Sequence, residues 1–545
     1  MTISFKDMPK MTSKLFLDYL YYFSKVQNFY SGDFRNTDSI QSKLSEISSK
    51  NHVNRLLLTE TLVKQNKLFG NSEKSLQNIE LLKQANTVAI VTGQQMGVFG
   101  GPLYTIYKAM GTVKLCESFQ QQFPDYNFIP VFWMELEDHD FEEIRSIQLF
   151  NIDNEIKSIA YDGDDAENKS RSPVNSIVLN EDIQRMMQEI KSTLNPTDFS
   201  GELFLKLESA YQNGKSISEA FGLWMAALLG KYGLVLMDPS DAVFKKMAIP
   251  VFKKELENSA AIHNLLMAQN ASLKSSGYDV QVENEPTNLF LRDEVNSKHP
   301  LNKNGLNKFK IRSEDAVSHR DSLMTLIETE PGRFIPNVIL RPIVQDHLLP
   351  TFAYVGGPSE IAYFAQFKTI YEFFEIPQPM IIPRPFITIL EKKIKKVTDK
   401  YGISVTDIFN KKSRIVDEAA TGDSQSSASG QLDSLLTQIH SQFSTLEKSL
   451  VSVDASLKGA SETALDKIEK AIKVLKEKTG DAEKRKNELT HSQLTKAIRH
   501  ILPQDQFQER EINALYYVNK YGFDFLNTLH ENMDVSAIGH QIVEL

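Results

Sequence analysis

The sequence predicts an α/β protein with a Rossmann-like, doubly wound core interrupted by connecting-peptide-type insertions, followed by an α-helical coiled-coil domain. Three observations carry this expectation. Apolar runs at 88–91, 127–134 and 233–237 each end in a glycine-rich or polar turn and lead into a new segment, the pattern of successive βα units. Gly-Gly-Pro opens a helical pattern twice, at 100–102 and 356–358. Leu432, Leu436, Ile439, Phe443, Leu446, Leu450, Val453 and Leu457 recur in steps of four and three, a heptad seam.

The totals narrow the function classes. A chain of 545 residues has room for two to four domains, and a net charge of −9 gives no basic footprint for general nucleic-acid binding. The single cysteine, Cys116, excludes an internal disulfide and a CxxC site, and is expected to be a small buried apolar residue. No N-terminal apolar segment reads as a secretory signal and no apolar run is long enough to span a membrane, so the expected location is cytoplasmic.

The first 80 residues read as a helical segment without chemistry. Residues 81–385 read as the core, and its first βα unit is the most informative stretch. An apolar run stops at a loop carrying Gly93, Gly97, Gly100 and Gly101, and Pro102 takes the first position of a helix marked by Leu103, Ile106, Tyr107 and Met110. Glycines allow a sharp turn and close approach of a ligand, and the N–H groups of the helix start favour a phosphate or carboxylate. The loop is neither GxGxxG nor a P-loop, and Lys108 comes too late to be a P-loop lysine. A purely structural turn is the alternative.

The second strand ends in a burst of charge: Glu135, Glu137, Asp138, His139, Asp140, Glu142 and Glu143. Ligands of open parallel sheets sit beyond the carboxyl ends of the strands, which makes His139 a candidate general base with Asp138 or Asp140 orienting its ring. No set of ligands is spaced for a metal. The competing view is an acidic first turn of a helix.

Residues 145–215 read as a small insertion of strands and loops. The helix at 217–231 precedes the third strand, and Ser240 is the expected cap of the helix after it. A second insertion, 275–331, reads as a β-hairpin patch. The core then resumes with Arg341, Gln345, Asp346 and His347 beside apolar residues, a strand at 351–355, and the second Gly-Gly-Pro, with Glu360 and Tyr363 early in its helix. Two such helix starts are expected to face one cleft. Residues 386–500 read as the coiled-coil domain: a basic helix at 387–402, a polar loop at 411–430, and an antiparallel helical hairpin broken at Gly459 and capped by Ser461. An exposed heptad seam needs a partner, so homodimerisation is its expected role. Residues 501–545 are expected to pack back on the core.

Four stretches carry a resemblance: VTGQQMGVFGGPLYTIYKA, PVFWMELEDHDFEEI, LRPIVQDHLLPTFAYVGGPSEIAYFAQ and the late QERxxN. In this order, over nearly the whole chain, the sequence resembles the cysteine-adding enzyme family of bacillithiol biosynthesis. The resemblance implies a ligase joining the carboxyl of cysteine to the amine of glucosaminyl malate in the last step. For such a reaction the turn and strand-end residues Gly93, Gln94, Gln95, Gly100, Gly101, Tyr104, Gln345, Asp346, Gly356, Gly357, Glu360 and Tyr363 are the expected substrate contacts, with His139 as base. The resemblance also implies ATP or ADP, with Mg²⁺ accompanying the nucleotide, near Arg384, Phe386, Lys496, Arg499, Gln508, Glu509 and Arg510. One departure matters. GGPLY stands where class I aminoacyl-tRNA synthetases carry HIGH, and KMSKS is missing. A nucleotide-binding dimeric assembly module without ligase chemistry is therefore the alternative.

Overall fold

The apolar runs form one five-stranded sheet at the centre of the first of two structural units. The structure is a computed structural model and describes residues 1–8, 12–50, 53–137, 140–163, 174–283, 287–294, 297–303, 308–311, 317–421 and 428–545. Strands β1 (Thr87–Gln95), β2 (Asn127–Glu135), β3 (Val235–Met237), β4 (Thr351–Gly356) and β5 (Met380–Pro383) are all parallel and lie in the order β5-β4-β1-β2-β3. Their residues are apolar without alternation because both faces of a parallel sheet are covered. This is the doubly wound Rossmann order 3-2-1-4-5, and the chain reverses direction across the sheet between β1 and β4. The switch point therefore lies above Gly93–Gln95 and Gly356.

Helix α1 (Leu103–Gln122) follows β1 and is buried along most of its length. Pro102 is its cap rather than its first residue. Between β2 and β3 lie the antiparallel strands Ser146–Phe150 and Ile156–Ala160, then helices Asp182–Thr193, Ser200–Ala210 and Ile217–Leu229, more helical than the sequence suggested. Asp241, not Ser240, caps the helix after β3, its carboxylate accepting from Val243 N. Ser240 instead turns back to Asp238. Between β3 and β4 the long helix Ile249–Ser275 leads to a five-stranded antiparallel sheet closed by Phe334–Pro336. Helix α2 (Leu340–Leu348) precedes β4, and α3 (Pro358–Phe364) follows it.

The C-terminal residues 506–543 belong to this first unit. Their last strand pairs with the first residues of the chain, Thr2 opposite Gln541 and Ile3 opposite His540.

The second unit comprises 390–505 with 544–545. It holds helices α4 (Lys392–Tyr401), α5 (Val405–Thr421), α6 (Ala428–Val453) and α7 (Leu457–Ile501). The expected basic helix starts late because 386–390 is a strand, and the expected polar loop is helical as far as Thr421. The turn of the hairpin falls at 454–456, so Gly459 and Ser461 lie inside α7. Ion pairs Asp433–Lys476, His440–Glu469 and Glu447–Lys458 give α6 and α7 an antiparallel register. Among the described residues no helix is long and apolar enough to cross a membrane.

Two glycines on helices have opposite surroundings. A Cβ on Gly111 of α1 would lie 2.5 Å from the Pro385 ring, whereas Gly480 of α7 has nothing within 4 Å. Gly111→Ala is expected to cost about 1–3 kcal/mol through overpacking. Gly480→Ala is expected to stabilise the helical unit by about 0.5–1 kcal/mol. Calorimetry should move the two transitions in opposite directions.

Candidate functional site

A cleft of about 670 Å³ opens above the carboxyl ends of the parallel strands. Gly93, Gln94 and Gln95 come from β1, Trp133 and Glu135 from β2, and Tyr354 from β4, with Gly357, Glu360 and Tyr363 at the start of α3. The strand order puts these termini at one place, as the switch-point rule requires.

Its floor is a buried ion pair. Lys108 Nζ reaches from α1 to within 2.5 Å of Glu360 Oε2, and donates to Gly93 O at 2.9 Å and Gln94 Oε1 at 3.1 Å. Glu360 also accepts from Gly357 N at 2.7 Å and the Tyr354 hydroxyl at 2.6 Å. Burial alone would raise the Glu360 carboxyl, but Lys108, Gly357 N and Tyr354 together hold it below the usual carboxylate range. Burial lowers the Lys108 ammonium, against the pull of Glu360.

Further cations line the cleft, among them Arg341 and Lys245. Arg341 Nε lies 3.3 Å from Glu135 Oε2, and its Nη2 donates to the Tyr363 hydroxyl at 3.1 Å. Its Nη1 is buried and has no hydrogen-bond partner among the described residues. Lys245, only 4% exposed, sits 2.6 Å from Glu137 and donates to Phe334 O at 3.0 Å. Arg341 is one of the residues the sequence set beside the cleft. Lys108 and Lys245 escaped it, although a lysine flanked by apolar residues, as in IYKAM, is a signal that it has a buried partner.

At each Gly-Gly-Pro helix start one N–H is already bonded within the chain. At α1, Leu103 N donates to Ile512 O at 2.9 Å, and Asn513 Nδ2 donates to Gly101 O at 2.6 Å. At α3, the Glu360 carboxylate takes Gly357 N. Each first turn is already supplied with an acceptor from within the chain.

Several proposed ligand residues point elsewhere. Gln345 and Asp346 are buried and line neither cavity. Gln345 donates to Asp346, which accepts from the Tyr371 hydroxyl at 2.5 Å. Burial pushes the Asp346 carboxyl up to about 6. Gly100 packs against Trp224 and Gly356 against the Tyr354 ring and Glu360. Phe386 is buried against Phe5 and Phe16. Gln508 and Glu509 hold backbone: Gln508 exchanges two hydrogen bonds with Ile389, and Glu509 accepts from Ile387 N and from Arg384 Nη2 at 2.7 Å. Lys496 and Arg499 lie in the last turns of α7, in the second unit. Asp140 is exposed and caps the short helix Phe141–Ile144 through Glu143 N. Asp138 and His139 lie outside the described residues. No group of three metal-ligating side chains occurs among the described residues.

A second cavity of about 410 Å³ adjoins the cleft and shares Gln94, Gln95, Tyr104, Glu143 and Arg510 with it. Gly101 and Gln148 line this second space. Arg510 is exposed and makes no ion pair among the described residues, its guanidinium 6.0 Å from the Tyr104 ring centre.

Residues 1–385 match the family model described as "Bacillithiol biosynthesis BshC, N-terminal Rossmann-like domain", and residues 387–545 match that of the C-terminal coiled-coil domain. A relative from Salinibacter ruber is 35% identical over 530 residues, covering 97% of this chain and 96% of the relative. One from Chlorobaculum tepidum is 37% identical over 529 residues, covering 94% and 92%. Both carry the name "Putative cysteine ligase BshC".

The floor of the cleft can be tested without an activity. Glu360→Gln leaves the Lys108 ammonium buried without a counter-charge and is expected to cost about 3–5 kcal/mol. Adding Lys108→Met should recover part of that loss. Denaturant unfolding of both variants would show a non-additive pair; additive costs would mean the two charges do not support each other.

Proposed function

The chain belongs to the BshC family of bacillithiol biosynthesis, and from that premise we propose that it is a ligase forming the amide bond between the cysteine carboxyl and the amine of glucosaminyl malate, the last step of that synthesis. The observation that supports this most directly is Arg341. Its guanidinium is held by Glu135 and Tyr363 at the switch-point cleft while one buried nitrogen stays unused. A planar fork with a spare donor suits a carboxylate, and the acceptor substrate brings two from its malate.

The reaction joins the amine nitrogen to the cysteine carbonyl carbon. The carboxyl oxygen leaves with its activating group and the amine loses a proton. Glu137 lines the cleft, and the next two residues of the chain are Asp138 and His139. His139 is proposed to take the amine proton, with Asp138 or Asp140 orienting the ring. A free carboxylate does not acylate an amine unaided, so ATP with Mg²⁺ is proposed as the source of activation. Of the residues named for a nucleotide in the first unit, Arg384, Phe386, Gln508 and Glu509 are committed to one another, to the backbone or to the core. Arg510 alone keeps an unpaired charge there, and no step is routed through the nucleotide.

A homodimer through the helical unit is proposed as well. Leu435, Leu446, Val474 and Leu475 are between 44% and 52% exposed on α6 and α7, more apolar surface than the hairpin covers by itself. Leu446→Glu with Leu475→Glu should shift the sedimentation coefficient to that of a monomer; an unchanged dimer would place the interface elsewhere.

The function is tested by the thiol profile of cells lacking the protein. Loss of the thiol with accumulation of glucosaminyl malate is expected, and an unchanged profile would favour the assembly-module alternative. Complementation with His139→Ala should leave thiol below about 1% of wild type with the protein folded, since a general base contributes roughly 10²–10⁴-fold. Arg341→Lys keeps the charge but loses the fork, and about a tenfold loss of malate affinity is expected.

A further inference from the structure

The second cavity differs from the cleft in its chemistry. The cleft is walled by Lys108, Lys245 and Arg341 with their carboxylates. The charged residues of the second cavity are Glu143, Arg510 and Glu511, and the first two are shared with the cleft. Glu511 is the charged residue lining this cavity but not the cleft. Burial pushes its carboxyl up, against the pull of the Gln148 hydrogen bond and of Arg510. The remaining polar wall consists of amides and hydroxyls, among them Gln148, Ser146, Thr105 and Gln506. Neutral groups that both donate and accept match a polyhydroxylated, uncharged ligand better than an anion.

A second observation concerns direction. Lys108 can only donate, and its bond to Gln94 Oε1 fixes which end of that amide faces which way. Gln94 Nε2 must then donate to the Tyr104 oxygen, at 3.0 Å. The Tyr104 hydroxyl thus spends a lone pair on Gln94, and its own hydrogen has no acceptor among the described residues. Tyr104 lines both spaces, so this hydrogen is presented where they meet. Three donors in series leave a polarised O–H aimed at an incoming oxygen.

We propose that the second cavity is the sugar subsite of this enzyme: it takes the pyranose of an amino-sugar acceptor, with Tyr104 donating to a sugar oxygen, while the acidic part of the acceptor lies in the cleft at Arg341. The proposal rests on the ligase reading above and adds where the sugar is held. It splits one substrate over two chemically distinct spaces, the hydroxyls among amides and the carboxylates among cations.

The test is calorimetric titration of the purified full-length protein with glucosaminyl malate and, separately, with malate. Wild type should bind glucosaminyl malate at least tenfold more tightly than malate. Tyr104→Phe removes the donor and keeps the ring. Ser146→Trp fills the cavity from a half-buried position on a peripheral strand. Both variants should bring glucosaminyl malate to within about threefold of malate, and Ser146→Trp, at a position that does not line the cleft, should leave malate affinity unchanged. If the variants keep the full tenfold advantage, the sugar lies elsewhere and the subsite is overturned while the ligase reading stands. If wild type binds malate but gains nothing from the sugar, the subsite is again overturned. If wild type binds neither compound, the ligase reading falls and the subsite with it. A fold lost in Ser146→Trp leaves Tyr104→Phe to decide.

Discussion

A single buried ammonium sets the geometry of this site. Lys108 is the side chain on which the switch point converges, because it touches the end of β1, the first turn of α3 and the amide of Gln94 at once. A lysine so buried must be compensated, and Glu360 does so while also tying Gly357 and Tyr354. The two halves of the sheet on either side of the switch point are therefore joined by a charge, not only by the strand pairing of β1 with β4. The same contact orients Gln94 and through it Tyr104. One cation thus transmits its direction from the core of the fold to the boundary between two cavities.

The cleft is rich in charge yet nearly balanced. Arg341 with Glu135, Lys245 with Glu137 and Lys108 with Glu360 keep these cations in place at little net field. An isolated buried cation would bind any anion and would destabilise the empty protein. Pairing lowers that cost and leaves recognition to the donors that remain, such as Arg341 Nη1. Such a site discriminates by geometry more than by total charge, which suits an acceptor carrying carboxylates at fixed spacing among hydroxyls.

Much of the fold was legible because its signals are local. Continuous apolar runs mark strands covered on both faces, and the heptads of 432–457 mark α6. Helix α5 was hidden because the Gly- and Ser-rich second half of 411–430 masks a first half rich in Lys, Arg, Glu and Ala, which favour a helix. The site was legible in outline. Gly93, Gln94, Gln95, Tyr104, Gly357, Glu360 and Tyr363 do line the cleft, since they end strands or start helices. Gln345 and Asp346 misled because a polar pair beside apolar residues can face inward when the amide and the Tyr371 hydroxyl both donate to the carboxylate. The helix starts show a different limit of local pattern. Whether a first turn is open to a ligand depends on what else in the chain reaches it, and Ile512 lies some four hundred residues from Leu103. Local pattern carries no record of such a contact.

That contact also orders events in time. During synthesis the glycine loop and α1 leave the ribosome well before the carbonyl of Ile512 and the amide of Asn513, which follow about four hundred residues later. Until then the first turn of α1 is open and Arg384 lacks Glu509. The nascent chain can pair β1 through β5 long before it can finish the loop between them. Contacts of such long sequence separation close slowly, and unfinished α/β chains are prone to misassembly. Residues 506–543 thus act as a clasp on a core whose strands are made long before them.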